Sequence, residues 1–177
     1  MPITRLNHAV LFVRDAEASA RFYVDVLGFR PVERLSDLAG ARFLQAPGST
    51  NDHDLGLFET GPRAAPAGAG RTTVGLYHLA WEVDTLAELS RLAQRLAQAG
   101  ALVGTTDHGT TKSVYGRDPD GIEFEVAWVV PAALLDAAAL AASTRAGRLD
   151  LAGEAARYGA QTRGGIGVSM PGPEEGV

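Results

Sequence analysis

Two stretches of this chain, seventy positions apart, carry the same instructions. Leu6-Asn7-His8-Ala9-Val10-Leu11-Phe12-Val13 is an apolar run followed by Asp15 and a helical pattern that stops at Gly28. Leu76-Tyr77-His78-Leu79-Ala80-Trp81-Glu82-Val83 is followed by Asp84 and a second helical pattern that stops at Gly100. The first helix has an apolar stripe of Phe22, Tyr23, Val26 and Leu27. The second has Leu86, Leu89, Leu92, Ala93 and Leu96, at the spacing of one helix face. Asp as N-cap and Gly past the end are the expected punctuation.

Short β-like runs follow each helix: 30–34, 41–45 and 53–59 in the first half, then 102–106, 112–117 and 122–128 in the second. Asp118-Pro119-Asp120-Gly121 reads as a turn. The pattern is therefore βαβββ twice, in modules of about 4–60 and 74–130, joined by a Gly/Pro/Ala linker over 61–70. Neither module can cover its own sheet, so the two are expected to form one α+β domain, 1–130, with a shared cupped mixed sheet. Beyond it, 131–163 is expected to be a helical extension, beginning with an Ala/Leu-rich helix from Pro131 to Arg145. Residues 164–177 are expected to be a mobile tail.

The chain has four histidines and no cysteine, so a metal would be bound by imidazole, carboxylate or carbonyl oxygen. Net charge is −5 with no Lys/Arg cluster, which gives no support to nucleic-acid or anionic-membrane binding. No apolar window is long enough to span a bilayer, and the first residues lack the basic and apolar regions of an export signal, so a cytoplasmic address is expected.

His8 and His78 occupy equivalent positions in the two modules, where pseudo-symmetry brings matched residues toward one axis. A mid-strand imidazole among apolar neighbours carries a desolvation cost that a shared metal removes. Glu125, in the last strand of the second module, alternates with Phe124 and Val126 and so points away from them. Two histidines and a carboxylate would make a facial triad for non-haem Fe(II) chemistry. A half-exposed strand with solvated carboxylates is the alternative.

These residues resemble the vicinal oxygen chelate superfamily of glyoxalases, bleomycin-type resistance proteins, epimerases and type I extradiol dioxygenases. The resemblance rests on HAVLFVRD, YHLAWEVD and RDPDGIEFE and covers about residues 4–130. Four further features are similar to the extradiol branch. Asn51-Asp52-His53-Asp54-Leu55 resembles the stretch that carries the acid/base histidine, and His108-Gly109 the second pocket histidine. Tyr115 resembles the tyrosine that hydrogen-bonds a substrate oxygen. Gly56 occupies the position where a glyoxalase would place a fourth ligand, although a shifted register could bring in Glu59.

The resemblance implies Fe(II), with Mn(II) as the alternative, held by His8, His78 and Glu125. It implies a catechol-type diol and O₂ as substrates and three catalytic residues: His53 as acid/base, Tyr115 as hydrogen-bond partner of a substrate oxygen, and His108 to steady the oxygenated intermediate. Phe12, Leu57, Trp81 and Trp128 are expected to line that pocket. Two other readings stay open: a glyoxalase- or epimerase-like isomerase with Glu59 on the metal, and a metal-free drug-binding resistance protein. Well-known extradiol enzymes carry four βαβββ units and this chain has two. A homodimer is therefore expected, with the Pro131–Arg145 helix packed at its interface or on its own domain. His53 as a surface residue and Tyr115 as a packing residue are the plainer readings of each.

Overall fold

The computed structural model describes residues 3, 5–35, 37–68, 72–165 and 168–169. Residues 69–70 of the expected linker and 166–167 and 170–177 of the expected tail lie outside them. The chain divides into two compact units. Unit 1 is Met1–Gly75 with Asp118–Ile122; unit 2 is Leu76–Arg117 with Glu123–Val177.

Unit 1 contains β1 (Ala9–Val13), α1 (Ala16–Phe22), β2 (Arg30–Pro31), β3 (Ala41–Gln45) and β4 (Leu55–Glu59), in sheet order β1-β4-β3-β2. The β1–β4 pair is parallel and the other pairs are antiparallel. Asp15 caps α1, its carboxylate accepting from Ala18 N at 2.8 Å. The helix continues as a π turn, Tyr23–Leu27, and ends at Gly28, whose φ of 83° suits glycine. β2 is only two residues long: Val32 N still donates to Phe43 O (2.9 Å), and Glu33–Leu35 then leave the sheet as a 3₁₀ turn. The Asp118–Ile122 turn belongs to this unit. Arg14 binds Asp120 through its backbone N (2.9 Å) and Nη1 (2.7 Å), and Tyr23 OH donates to Asp118 Oδ2 (3.2 Å).

Unit 2 repeats the plan with β5 (Leu79–Glu82), α2 (Leu86–Gln98), β6 (Leu102–Asp107), β7 (Thr111–Arg117) and β8 (Glu123–Val129), in order β5-β8-β7-β6. Thr85, not Asp84, is the N-cap of α2: its hydroxyl accepts from Glu88 N at 3.2 Å. The stripe Leu86, Leu89, Leu92, Ala93 and Leu96 is buried as its spacing predicts. Each such leucine contributes roughly 1.5–3 kcal/mol of transfer free energy.

The expected helix from Pro131 to Arg145 is interrupted. A 3₁₀ turn, Ala132–Leu134, gives way to extended backbone at Leu135, and Asp136 caps a new helix, α3 (Ala137–Ala142). A second helix, α4 (Leu151–Tyr158), follows, capped by Asp150. The first residues assigned to the tail are anchored rather than free. Gly164 N donates to Asp84 O (2.8 Å), and buried Ser169 donates from Oγ to Val129 O (2.7 Å). Among the described residues no helix is long and apolar enough to cross a membrane.

Candidate functional site

Each sheet has a back face covered by its helix and an opposite front face. In unit 2, Phe124, Val126 and Val114 share the back face with Gly116, where an added Cβ would meet Phe124 and Leu96 of α2. Glu125 alternates to the front and pairs in register with Ala80 of β5 and Tyr115 of β7. His78 stands two residues before Ala80. It lies just ahead of β5 rather than mid-strand, and His8 stands likewise just ahead of β1. The same alternation, continued outward by one residue, still directs both rings to the front.

His78 Nε2 is 3.1 Å from Glu125 Oε2, with the two side chains 25% and 13% exposed. His78 Nδ1 is buried and has no hydrogen-bond partner among the described residues. The other carboxylate oxygen, Glu125 Oε1, accepts from Ser113 Oγ. Two ligands bonded to one ion at about 2.1 Å and near a right angle stand about 3 Å apart, so this pair suits a divalent metal. His108 Nε2 is 3.0 Å from Tyr115 OH. Burial, and then the charge of Glu125, raise the Tyr115 pKa above its ordinary value. The phenol therefore stays protonated and able to donate through the neutral range.

In unit 1 the front face carries Val10 and Phe12 of β1, Phe58 of β4 and Phe43 of β3 in register, with His8 just ahead of β1. Phe12 is 77% exposed while Leu11 and Val13 are buried beneath it. The His53 ring lies 4.5 Å from that of His8 and 5.0 Å from that of Phe43. His53 sits in the loop before β4, and the loop is tied down by Asp54. That carboxylate accepts from Ala46 N, Ser49 Oγ and Asn51 Nδ2, each at 2.8 Å. Asn51 Nδ2 also donates to Asn7 O (2.6 Å), which links this loop to the backbone beside His8.

The six predicted residues thus gather in two groups: His8 with His53, and His78 with Glu125, Tyr115 and His108. Among the described residues no three His, Asp or Glu side chains form a cluster that could hold a metal ion. Of the expected pocket wall, Phe12 faces front. Leu57, Trp81 and Trp128 face back, because their register partners Leu11 and Val126 and their parity place them under the helices.

Glu59 also faces back. It pairs with Val13, and its Oε2 accepts from Ala16 N (3.2 Å) at the start of α1. Glu59→Gln is accordingly expected to leave any bound metal and any turnover within about twofold, since an amide oxygen can accept the same bond. Metal analysis showing a lost ion in that variant would count against this placement.

Sequence reasoning missed Ser113, and it named Asn51 and Asp54 around His53 without their part in holding that loop. Ser113 was detectable only as the front-face neighbour two residues from Tyr115. Asn51 and Asp54 belong to the residue types that bond neighbouring backbone in loops.

Several curated proteins are similar to this chain. Catechol-2,3-dioxygenase of Bacillus subtilis (strain 168) is 32% identical over 123 residues, 70% of this chain and 41% of that protein. Biphenyl-2,3-diol 1,2-dioxygenase 3 of Rhodococcus globerulus is 35% identical over 123 residues, 66% of this chain and 59% of that protein. The match spans less than two thirds of the length of either relative. In fold, the chain is similar to a glyoxylase/bleomycin resistance protein/dioxygenase domain from Frankia sp. EAN1pec. The TM-score is 0.57 at 24% identity, over 73% of this chain and 94% of that one. The chain belongs to the glyoxalase/bleomycin resistance protein/dioxygenase superfamily, whose family model matches it from residue 5 to residue 126.

Proposed function

We propose that this chain is a metal-dependent extradiol dioxygenase that opens a catechol-type ring with O₂, its metal held by His8, His78 and Glu125. The observation that carries the reading is the placement of Tyr115 beside Glu125 and of His108 against the Tyr115 hydroxyl, with the His78–Glu125 pair already spaced as adjacent ligands. An isomerase would need a second carboxylate on the metal, and Glu59 is committed to the opposite face. A resistance protein that merely sequesters a drug needs neither the His–Glu pair nor the proton-handling groups. The homologous catechol and biphenyl-diol dioxygenases support the same reaction class.

Bound Fe(II) or Mn(II) would supply a common site for the two diol oxygens and O₂. The chain's own residues do the rest. His53 Nδ1 lies 3.2 Å from Asp52 Oδ2, which favours the tautomer protonated at Nδ1 and leaves Nε2 to take a hydroxyl proton and return it. Tyr115, held protonated, donates to a substrate oxygen, and His108 orients that phenol. Val10, Phe12, Phe43 and Phe58 present an apolar surface suited to an aromatic ring.

The reading is tested by metal analysis together with O₂ uptake on simple catechols. Stoichiometric iron or manganese with diol-dependent O₂ uptake is expected; Zn or Ni with no O₂ uptake would overturn it. His53→Gln is expected to retain the metal and to slow ring opening by about 10²-fold or more, the range of general acid/base catalysis. An unchanged rate would return His53 to the status of a surface histidine.

A further inference from the structure

Lys112 is a charged residue in the middle of the unit 2 core, with a relative exposure of 0%. Its Nζ lies 2.6 Å from Asp107 Oδ1 and 3.1 Å from Glu154 Oε2, and 5.7 Å from the centroid of the Tyr158 ring. Apolar side chains of similar volume would stabilise such a place as well as an ion cluster does, so the cluster calls for another reason. Asp107 supplies one, because the next residue is His108.

Asp107 pairs in register with Lys112 and turns its side chain to the back of the sheet. Alternation then sends His108 to the front, where its Nε2 reaches Tyr115 OH at 3.0 Å. The turn that carries His108 is clamped from several sides. Asp107 Oδ1 accepts from Gly109 N (2.7 Å), and the Asp107 backbone exchanges two hydrogen bonds with Gly147 (2.9 and 2.8 Å). Gly109 has a φ of 74°, and a Cβ there would stand 2.2 Å from Ala139 O of α3. Gly147, Ala139 and Glu154 all belong to the C-terminal extension, beyond the residues that the family model matches.

We propose that Lys112, bridging Asp107 to Glu154, is a positioning residue through which the C-terminal extension sets His108 against Tyr115. The proposal rests on the reading of His108 and Tyr115 as active-site residues. α4 thereby takes part in the reaction without touching substrate.

Glu154→Gln removes the extension's charge at constant shape, and Glu154→Asp keeps the charge at a shorter reach. In the metal-loaded enzyme, Glu154→Gln is expected to lower kcat for catechol-dependent O₂ uptake about tenfold, because a catalytic group held slightly out of place loses rate rather than binding, with KM within about twofold. Glu154→Asp should fall between it and wild type. The combination His108→Gln/Glu154→Gln should be no slower than His108→Gln alone, because both act through one group. In ¹⁵N–¹H spectra the His108 ring signals should move in Glu154→Gln while those of His53 stay. Additive defects in the double variant, or unmoved His108 signals, would overturn the proposal. If wild-type protein takes up no O₂ with catechols, the dioxygenase reading fails by itself. The ring spectrum of Glu154→Gln, or of Glu154→Asp should the former not fold, still decides the positioning.

Discussion

His78→Ala is expected to lose the metal and to lower turnover by more than the roughly 100-fold that removing an outer-shell partner costs. The fold should survive. Among the described residues the His78 Nδ1 has no hydrogen-bond partner, and Nε2 pairs with Glu125. Among the described rings the imidazole meets only those of Tyr77 and Tyr115, so it contributes little to the metal-free core. Glu125 remains held by Ser113 in the variant. The clearest readout is thermal denaturation with and without Fe(II) or Mn(II). A ligand at 100 times its Kd stabilises the native state by about 2.7 kcal/mol. At about 2–4 °C per kcal/mol for a chain of this size, wild type should gain roughly 5–11 °C on metal addition. His78→Ala should gain none, while its metal-free Tm stays near that of the metal-free wild type. A variant that keeps stoichiometric metal and full activity would remove His78 from the ligand set.

The second large effect concerns stability rather than chemistry. Lys112→Met fills nearly the same volume but leaves Asp107 and Glu154 facing one another across a site with no cation. Breaking a buried ion pair from one side costs about 3–5 kcal/mol, because the remaining charge keeps its desolvation penalty without its partner. That corresponds to a fall in Tm of roughly 6–20 °C. Adding Glu154→Leu to Lys112→Met should restore much of the loss, since the uncompensated charge at the C-terminal helix is then removed too. Asp107 keeps its bond from Gly109 N in both variants. Equal melting of Lys112→Met and wild type would mean that water reaches this lysine. Failure of the second substitution to recover stability would assign the loss to packing instead.

Much of the architecture was legible because it is written in local periodicity. The repeated apolar run, the Leu86–Leu96 stripe, the Asp15 cap and the Gly28 stop are properties of neighbours within a few positions. The twofold βαβββ order followed from them. Alternation of period two was enough to set Glu125 opposite Phe124 and Val126. Where the local signal was mixed, the boundaries moved. The 3₁₀ turn Glu33–Leu35 cut β2 short, Thr85 displaced Asp84 as the cap, and Asp136 divided the C-terminal helix.

Other features depend on which strand lies beside which and in what register, and no window of sequence contains that. Glu59 was a candidate ligand until its pairing with Val13 placed it under α1. Leu57, Trp81 and Trp128 looked like pocket residues until the same parity put them on the back faces. Nothing in the β-like run 112–117 marks Lys112 as buried. Its burial is compensated by Asp107, five positions before it, and by Glu154, forty-two positions after it. Periodicity is a property of the chain's own geometry, whereas the partner of a buried charge is chosen by strand pairing and helix docking. Sequence therefore decided the elements and the faces of single strands, and tertiary structure decided which side chains meet.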